Sequence, residues 1–230
     1  MSVVIAIPTF SGEVRSECMM STLTVTHLLQ ARKIRYEVCI LSHCAILSMA
    51  RNTLTEMFMQ IGYEDLFFID ADVGFNAEAF FTILDRPEKV VAGVYPLKTD
   101  AGGYPVKIKV VDGVPIGRDG LIEADLLPTG FMRIKRIVIE RLRAAYPELK
   151  YTSNHVHVEH SGVKEAYDLF GMGVRNGKTF TTEDYAFCQR WTDIRGQLWV
   201  YPDIDFSHVG TKIYRGNYHQ SLLDRSKEVA

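Results

Sequence analysis

The chain has 230 residues, 47% hydrophobic and 23% charged, enough to bury a sizeable core and unlike a disordered, collagenous or low-complexity scaffold. Lys and Arg total 26 against 28 Asp and Glu, a net charge of −2, so the basic excess of a protein bound along nucleic acid is absent and no nucleic-acid partner is expected. No stretch reaches the roughly 18–20 apolar residues that span a bilayer. The start, Met1 to Pro8, has neither the basic region nor the apolar length of a signal peptide. Cys18, Cys39, Cys44 and Cys188 fall in no CxxC or zinc spacing. They read as reduced, mostly buried thiols of a soluble, cytoplasmic protein.

Val3 to Ile7 is a short apolar run suited to a strand buried on both faces, and Pro8 ends it. A helix follows, with Val14, Cys18, Val25 and Leu29 on one face. Tyr36 to Leu41 reads as a second strand. A second helix spans about Leu47 to Ile61, with Leu47, Ala50, Leu54, Met57, Phe58 and Ile61 at helical spacing and Gly62 placed to stop it. Leu66 to Ile69 is a third buried strand, running straight into Asp70-Ala71-Asp72. A third helix, about Ala77 to Leu84, precedes a fourth strand, Val90 to Tyr95. This alternation predicts a mostly parallel sheet with right-handed crossovers, an α/β fold.

From Gly102 to Leu127, short β-like stretches broken by Gly and Asp predict hairpins. A helix of about Arg136 to Ala145 ends before Pro147, and strand-like pieces surround Val156 and Tyr167. A glycine-rich loop, Gly171 to Gly177, leads to a last helix, Glu183 to Ile194. Gly171, Gly173 and Gly177 lack the GxGxxG spacing of a phosphate loop and read as a mobile cover over an acceptor. No linker or internal repeat divides the chain, so one domain over residues 1–230 is expected, a parallel-sheet half (about 1–100) and a mixed half (about 101–230) sharing one cleft.

Asp70 and Asp72 emerge from the end of a buried strand, and in an open parallel sheet ligands bind outside the carboxyl ends of the strands. With small Ala71 between them, both carboxylates can approach one divalent cation. Hard oxygen donors suit magnesium or manganese bridging a nucleotide diphosphate. The competing reading has Asp70 capping a turn and Asp72 solvated; the position after a buried strand favours the site.

Phe68-Ile69-Asp70-Ala71-Asp72-Val73 resembles the DxD signature of glycosyltransferases with the GT-A fold. Other pieces follow in order. Ile5-Ala6-Ile7-Pro8-Thr9-Phe10 resembles the first strand and nucleotide-contacting turn of glycosyltransferase family 2. Ser48-Met49-Ala50-Arg51-Asn52 resembles its "ARN" element, and Thr182-Glu183-Asp184-Tyr185-Ala186-Phe187 its "ED" motif. Phe206-Ser207-His208-Val209-Gly210 resembles the late histidine that often completes the metal site. The similarity covers about residues 3–215 and extends to small, stand-alone glycosyltransferases encoded by phages and large viruses.

The resemblance implies a GT-A fold, a nucleotide-sugar-binding half joined to an acceptor-side half. It implies an inverting, metal-dependent transfer from a UDP- or GDP-sugar to a hydroxyl of a glycan or glycoprotein. Asp70, Asp72 and His208 would hold Mn2+ or Mg2+. Pro8, Thr9, Arg51, Asn52, Asp70 and Ala71 would contact the nucleotide. Lys98, Lys212 and Arg215 could close over the diphosphate and offset the leaving group's charge, although a surface role is the default for each. Asp184 would take the proton from the acceptor hydroxyl, with Glu183 orienting a neighbour or the acceptor. The same acids also read as first-turn residues that favour a helix start. Arg51 opposes its helix dipole, which argues for a site role over a solvated one. Tyr185 and Trp191 read as core, though either could stack on a sugar face.

Two other functions fit the residues. A nucleotidyltransferase would also use carboxylates and magnesium, but the turn from Pro8 to Arg15 is poor in the glycine such enzymes place there. A binding module could keep the fold without chemistry. His155, His157 and His160, with Glu159, could bind zinc at strand spacing, but they match no zinc motif and read better as a polar loop.

Overall fold

The computed structural model describes residues 1–153, 161–175 and 177–228. The first part follows the predicted alternation: β1 (Ser2–Pro8), α1 (Ser16–Ala31), β2 (Arg35–Leu41), α2 (Leu47–Ile61), β3 (Asp65–Ile69), β4 (Val73–Phe75), α3 (Ala77–Leu84) and β5 (Val90–Ala92). Gly62 ends α2 in the left-handed region at φ 81°, where a side chain would be strained. The short strands β6 (Lys107–Ile108), β7 (Val110–Val111), β8 (Val114–Pro115) and β9 (Gly117–Arg118) precede β10 (Leu121–Leu126) and β11 (Phe131–Lys135), which runs into α4 (Arg136–Ala145). Two hairpins follow, β12 (Lys150–Thr152) with β13 (Glu165–Tyr167), and β14 (Gly173–Arg175) with β15 (Thr179–Thr181). Then come α5 (Glu183–Asp193), β16 (Leu198–Val200), β17 (Asp205–Val209), β18 (Ile213–Asn217) and α6 (Tyr218–Glu228). His155, His157 and His160 lie outside the described residues.

The chain is α/β, with a large mixed sheet flanked by helices, in the order β2-β1-β3-β11-β5-β16-β10-β6, with β9 on β10. β1 pairs parallel with β2 and β3, and β16 parallel with β5. Between β3 and β5 lies β11, antiparallel to both. β5 therefore still points the same way as β3, and its carboxyl end opens on the same edge. A second sheet, β18-β17-β4, stands beside that edge.

Alternation along the strands explains why both faces are covered. Val4 and Ala6 of β1 and Leu66 and Phe68 of β3 pack with Ala50, Leu54 and Phe58 of α2, and with α4 and α5. Val3, Ile5, Ile7, Phe67 and Ile69 pack on the other face with Cys18, Val25 and Leu29 of α1 and Phe80 of α3. Each such side chain contributes about 1.5–3 kcal/mol on burial. All four cysteines are free and buried. Among the described residues no helix is long and apolar enough to cross a membrane.

Candidate functional site

The carboxyl ends of β1 and β3 lie side by side, and the chain leaving each lines a cavity of about 380 Å³. Pro8, Thr9, Phe10, Ser11, Glu13 and Arg15 form one wall. Asp70, Ala71 and Asp72 form the floor, Lys98 and His208 the opposite wall, and Leu47 the rim beside α2. His208 is delivered by β17, whose register places it against Val73 of β4. The fold thus gathers Pro8, Thr9, Asp70, Ala71, Asp72, Lys98 and His208.

Asp70 faces inward. Its Oδ1 accepts from Arg51 Nη2 at 2.9 Å and its Oδ2 from the Tyr95 hydroxyl at 3.2 Å. Arg51 is 2% exposed, a cation held inside the fold. Glu183 Oε1 stands 3.6 Å from Arg51 Nε, so one guanidinium bridges β3 and the first turn of α5. Burial opposes the Arg51 charge, but Asp70 and Glu183 outweigh it and hold its pKa above the ordinary arginine value. Burial, then the Asp70 charge, push the Tyr95 phenol well above its usual range, so it stays a donor. Burial also raises Glu183, opposed by Arg51 and aided by Asp184.

Asp72 faces the cavity. Lys98 donates to its Oδ2, and His208 Nε2 lies 3.4 Å from its Oδ1. The other imidazole nitrogen, Nδ1, is 2.8 Å from the Pro96 carbonyl; a carbonyl only accepts, so Nδ1 carries a proton. Burial pushes Asp72 up, but the hydrogen bonds from His208 and Lys98 prevail and hold its carboxyl below the usual range.

The donor set decides how a cation would fit. Among the described residues no three His, Cys, Asp or Glu side chains gather around one point. The expected triad is not assembled, because Asp70 turns to Arg51 and Tyr95 while Asp72 and His208 turn to each other. Each carboxylate already carries a protein cation, so the residues as arranged do not fit Mn2+ or Mg2+.

Other expected residues do not line this cavity. Asn52 donates to Asp168 Oδ1 at 2.8 Å and accepts from the Phe170 amide at 3.0 Å, lining a different cavity with Tyr151 and Asp168. Lys212 is exposed and paired with Asp100. Arg215 lines a larger open cleft, about 680 Å³, with Glu17, Ser21 and Ser207; Ser207 and His208 alternate on β17 and so face opposite ways. Asp184 is half-buried at the start of α5, and its Oδ1 accepts from Thr182 Oγ1 at 2.6 Å and the Tyr185 amide at 2.8 Å. Trp191 is core, 1% exposed, and Tyr185 is half-buried. The stretch from Gly171 to Gly177 is partly strand β14.

Sequence reasoning missed Tyr95, Phe10 and Arg15. Tyr95 had only its place at the end of a predicted strand; the β5–β11–β3 pairing brings it to Asp70. Phe10, 74% exposed, is an aromatic held in solvent on the cavity lip. Thr9 Oγ1 is buried without a hydrogen-bond partner, a polar atom in the wall whose need the protein leaves unmet.

No protein-family model matches the chain, and no curated protein matches it. Among solved structures, S. aureus TarS 1–349 in complex with UDP matches at a TM-score of 0.33 and 15% identity, over 70% of this chain and 54% of that one. This chain thus spans about half of that protein's solved length. The inositol-1-phosphate CTP transferase of T. maritima matches at 0.41 and 12%, over 89% and 88%. The 4-diphosphocytidyl-2C-methyl-D-erythritol synthase of Anaerococcus prevotii matches at 0.31 and 13%, over 84% and 99%.

Proposed function

We propose that the chain is a glycosyltransferase that binds a nucleoside-diphosphate sugar, UDP- or GDP-linked, in the Asp70–Asp72 cavity and passes the sugar to a hydroxyl of a glycan or glycoprotein. One observation carries this reading: at the carboxyl edge of the sheet, Asp72, Lys98, His208, Arg15 and Thr9 line one 380 Å³ cavity. That is the place where an open α/β sheet binds ligands, and the cavity has the volume of a small-molecule site.

Each residue has a task its chemistry suits. Phe10 offers a ring on which a nucleobase stacks. Thr9 Oγ1 bonds the ribose or base. Lys98 exchanges its Asp72 carboxylate for a diphosphate oxygen, and Arg15 adds a second cation as the leaving group gains charge. Arg51 holds the Asp70 carboxylate still. Asp184, on the mixed half of the chain, takes the proton from the acceptor hydroxyl.

The test is a thermal-shift panel of UDP, GDP and their sugar conjugates, run with manganese and with EDTA. A ligand that binds the folded state raises the midpoint by mass action. One nucleoside diphosphate should raise it, and Lys98→Met should weaken that binding about tenfold, the loss of one charge-assisted hydrogen bond. No shift with any of them sinks the reading. The nucleotidyltransferase alternative would declare itself by releasing pyrophosphate from a nucleoside triphosphate and a sugar phosphate.

A further inference from the structure

The amino-terminal ends of β5 and β16 lie at the sheet edge opposite Asp70, and a second cavity, about 240 Å³, opens there. Its walls carry Lys89, Arg118, Arg141 and Arg195 against one carboxylate, Glu88. The chain as a whole is acidic by two charges, so this concentration of cations does not follow from composition. Arg118 reaches Glu88 at 3.5 Å. Lys89 and Arg195 take part in no ion pair among the described residues.

The arginines are held in place. The Arg118 guanidinium lies over the Trp199 ring at 4.6 Å, and that of Arg141 over Trp191 at 5.0 Å. Stacking of this kind orients the planar fork before any ligand arrives. Trp191 also donates from Nε1 to the Gln197 carbonyl at 3.0 Å. A Cβ on Gly196 would come within 2.1 Å of that ring, so the turn is locked against the indole. Arg195 sits in this turn at φ 62°, just past the Ile194 cap of α5. Glycine or asparagine ordinarily takes that left-handed position.

The helix dipole gives a competing account, since cations favour a helix C-terminus. Arg141 meets that need by donating to the Ile194 carbonyl at 3.2 Å. The account does not reach Lys89 or Arg118, which come from the strand ends across the cavity.

We propose that this cavity binds a small anion through a phosphate group. Fork-shaped guanidiniums match phosphate oxygens in pairs, and a cavity of about 240 Å³ takes a compact ligand rather than a polymer. The phosphate could be free or borne on a small metabolite. This site is independent of the donor cavity.

The test is calorimetric titration with inorganic phosphate, pyrophosphate and a hexose phosphate on the wild type, Arg195→Gly and Lys98→Met. Arg195→Gly removes a cation and relieves the left-handed strain, so its thermal midpoint should rise by about 2–4 °C. Its anion affinity should nevertheless fall about tenfold. Lys98→Met, at the far edge, removes only what binds in the donor cavity and should leave the Arg195-dependent binding intact. A preference for the hexose phosphate would identify a metabolite ligand, and equal affinities a site for the phosphate group alone; both support the proposal. No binding of any probe at millimolar concentration, or undiminished binding by Arg195→Gly, overturns it.

Discussion

The Arg51 guanidinium donates to the Asp70 carboxylate at 2.9 Å from a side chain that is 2% exposed. Helix α2 thereby holds the first acid of the pair from inside the fold, and the same cation reaches Glu183 on α5 at 3.6 Å. Removing it leaves two carboxylates facing each other's field without a cation, and Asp70 with the Tyr95 hydroxyl alone. Arg51→Met should therefore cost about 3–5 kcal/mol in urea denaturation. A loss below about 1 kcal/mol would show that water replaces the guanidinium. Pairing the change with Asp70→Asn should recover part of the loss, because the uncompensated charge goes with it.

Asp72 gives a pH signature. Its carboxyl is held below the usual range by His208 and Lys98, so the folded state binds its proton less readily than the unfolded one. The stability it contributes is present above the unfolded value, about 3.9, and is lost as pH falls through the lower folded value. Wild type and Asp72→Asn should differ in stability at neutral pH and converge in acid. Parallel curves down to the lowest pH would contradict the pairing.

Thr9 separates folding from binding. Its hydroxyl is buried without a partner, so Thr9→Val removes an unmet polar group at nearly constant volume. Stability should hold or rise by up to about 1 kcal/mol, while affinity for the nucleoside diphosphate falls. A clear loss of stability would mean that the hydroxyl serves the fold.

Asp184→Asn keeps the shape of the α5 start and removes the base. Turnover should drop by about 10²–10⁴-fold with donor affinity unchanged. If Glu183→Gln produces that loss and Asp184→Asn does not, the base is the neighbouring acid.

Much of the fold was legible in the sequence. The apolar runs at Val3–Ile7 and Leu66–Ile69, with helical spacing between them, could bury both faces only in a parallel arrangement, and the structure has β1 and β3 paired that way. Strand β11 was not legible. Phe131 to Lys135 is as apolar as a helix entry, and only pairing with β3 and β5 identifies it. Arg133 within it is wholly buried, its charge met by the Glu88 and Arg86 carbonyls at 2.6 and 2.8 Å, a solution that local pattern does not show. The short strands β4 and β18, and the last helix α6, were missed for the same reason: short or polar elements take their identity from what they pack against.

What the sequence determined by itself was local: where the strands end, and that Asp70, Ala71 and Asp72 leave a buried strand together. Periodicity and burial are properties of neighbours in the chain, so they can be read there. Tertiary structure alone decided that the two acids part company, Asp70 to Arg51 and Tyr95, Asp72 to Lys98 and His208. It also drew Asn52 and Lys212 out of the site and gathered Lys89, Arg118, Arg141 and Arg195 at the far edge. Ion pairs form over a few ångströms of space whatever the separation along the chain, and only the folded sheet sets that distance.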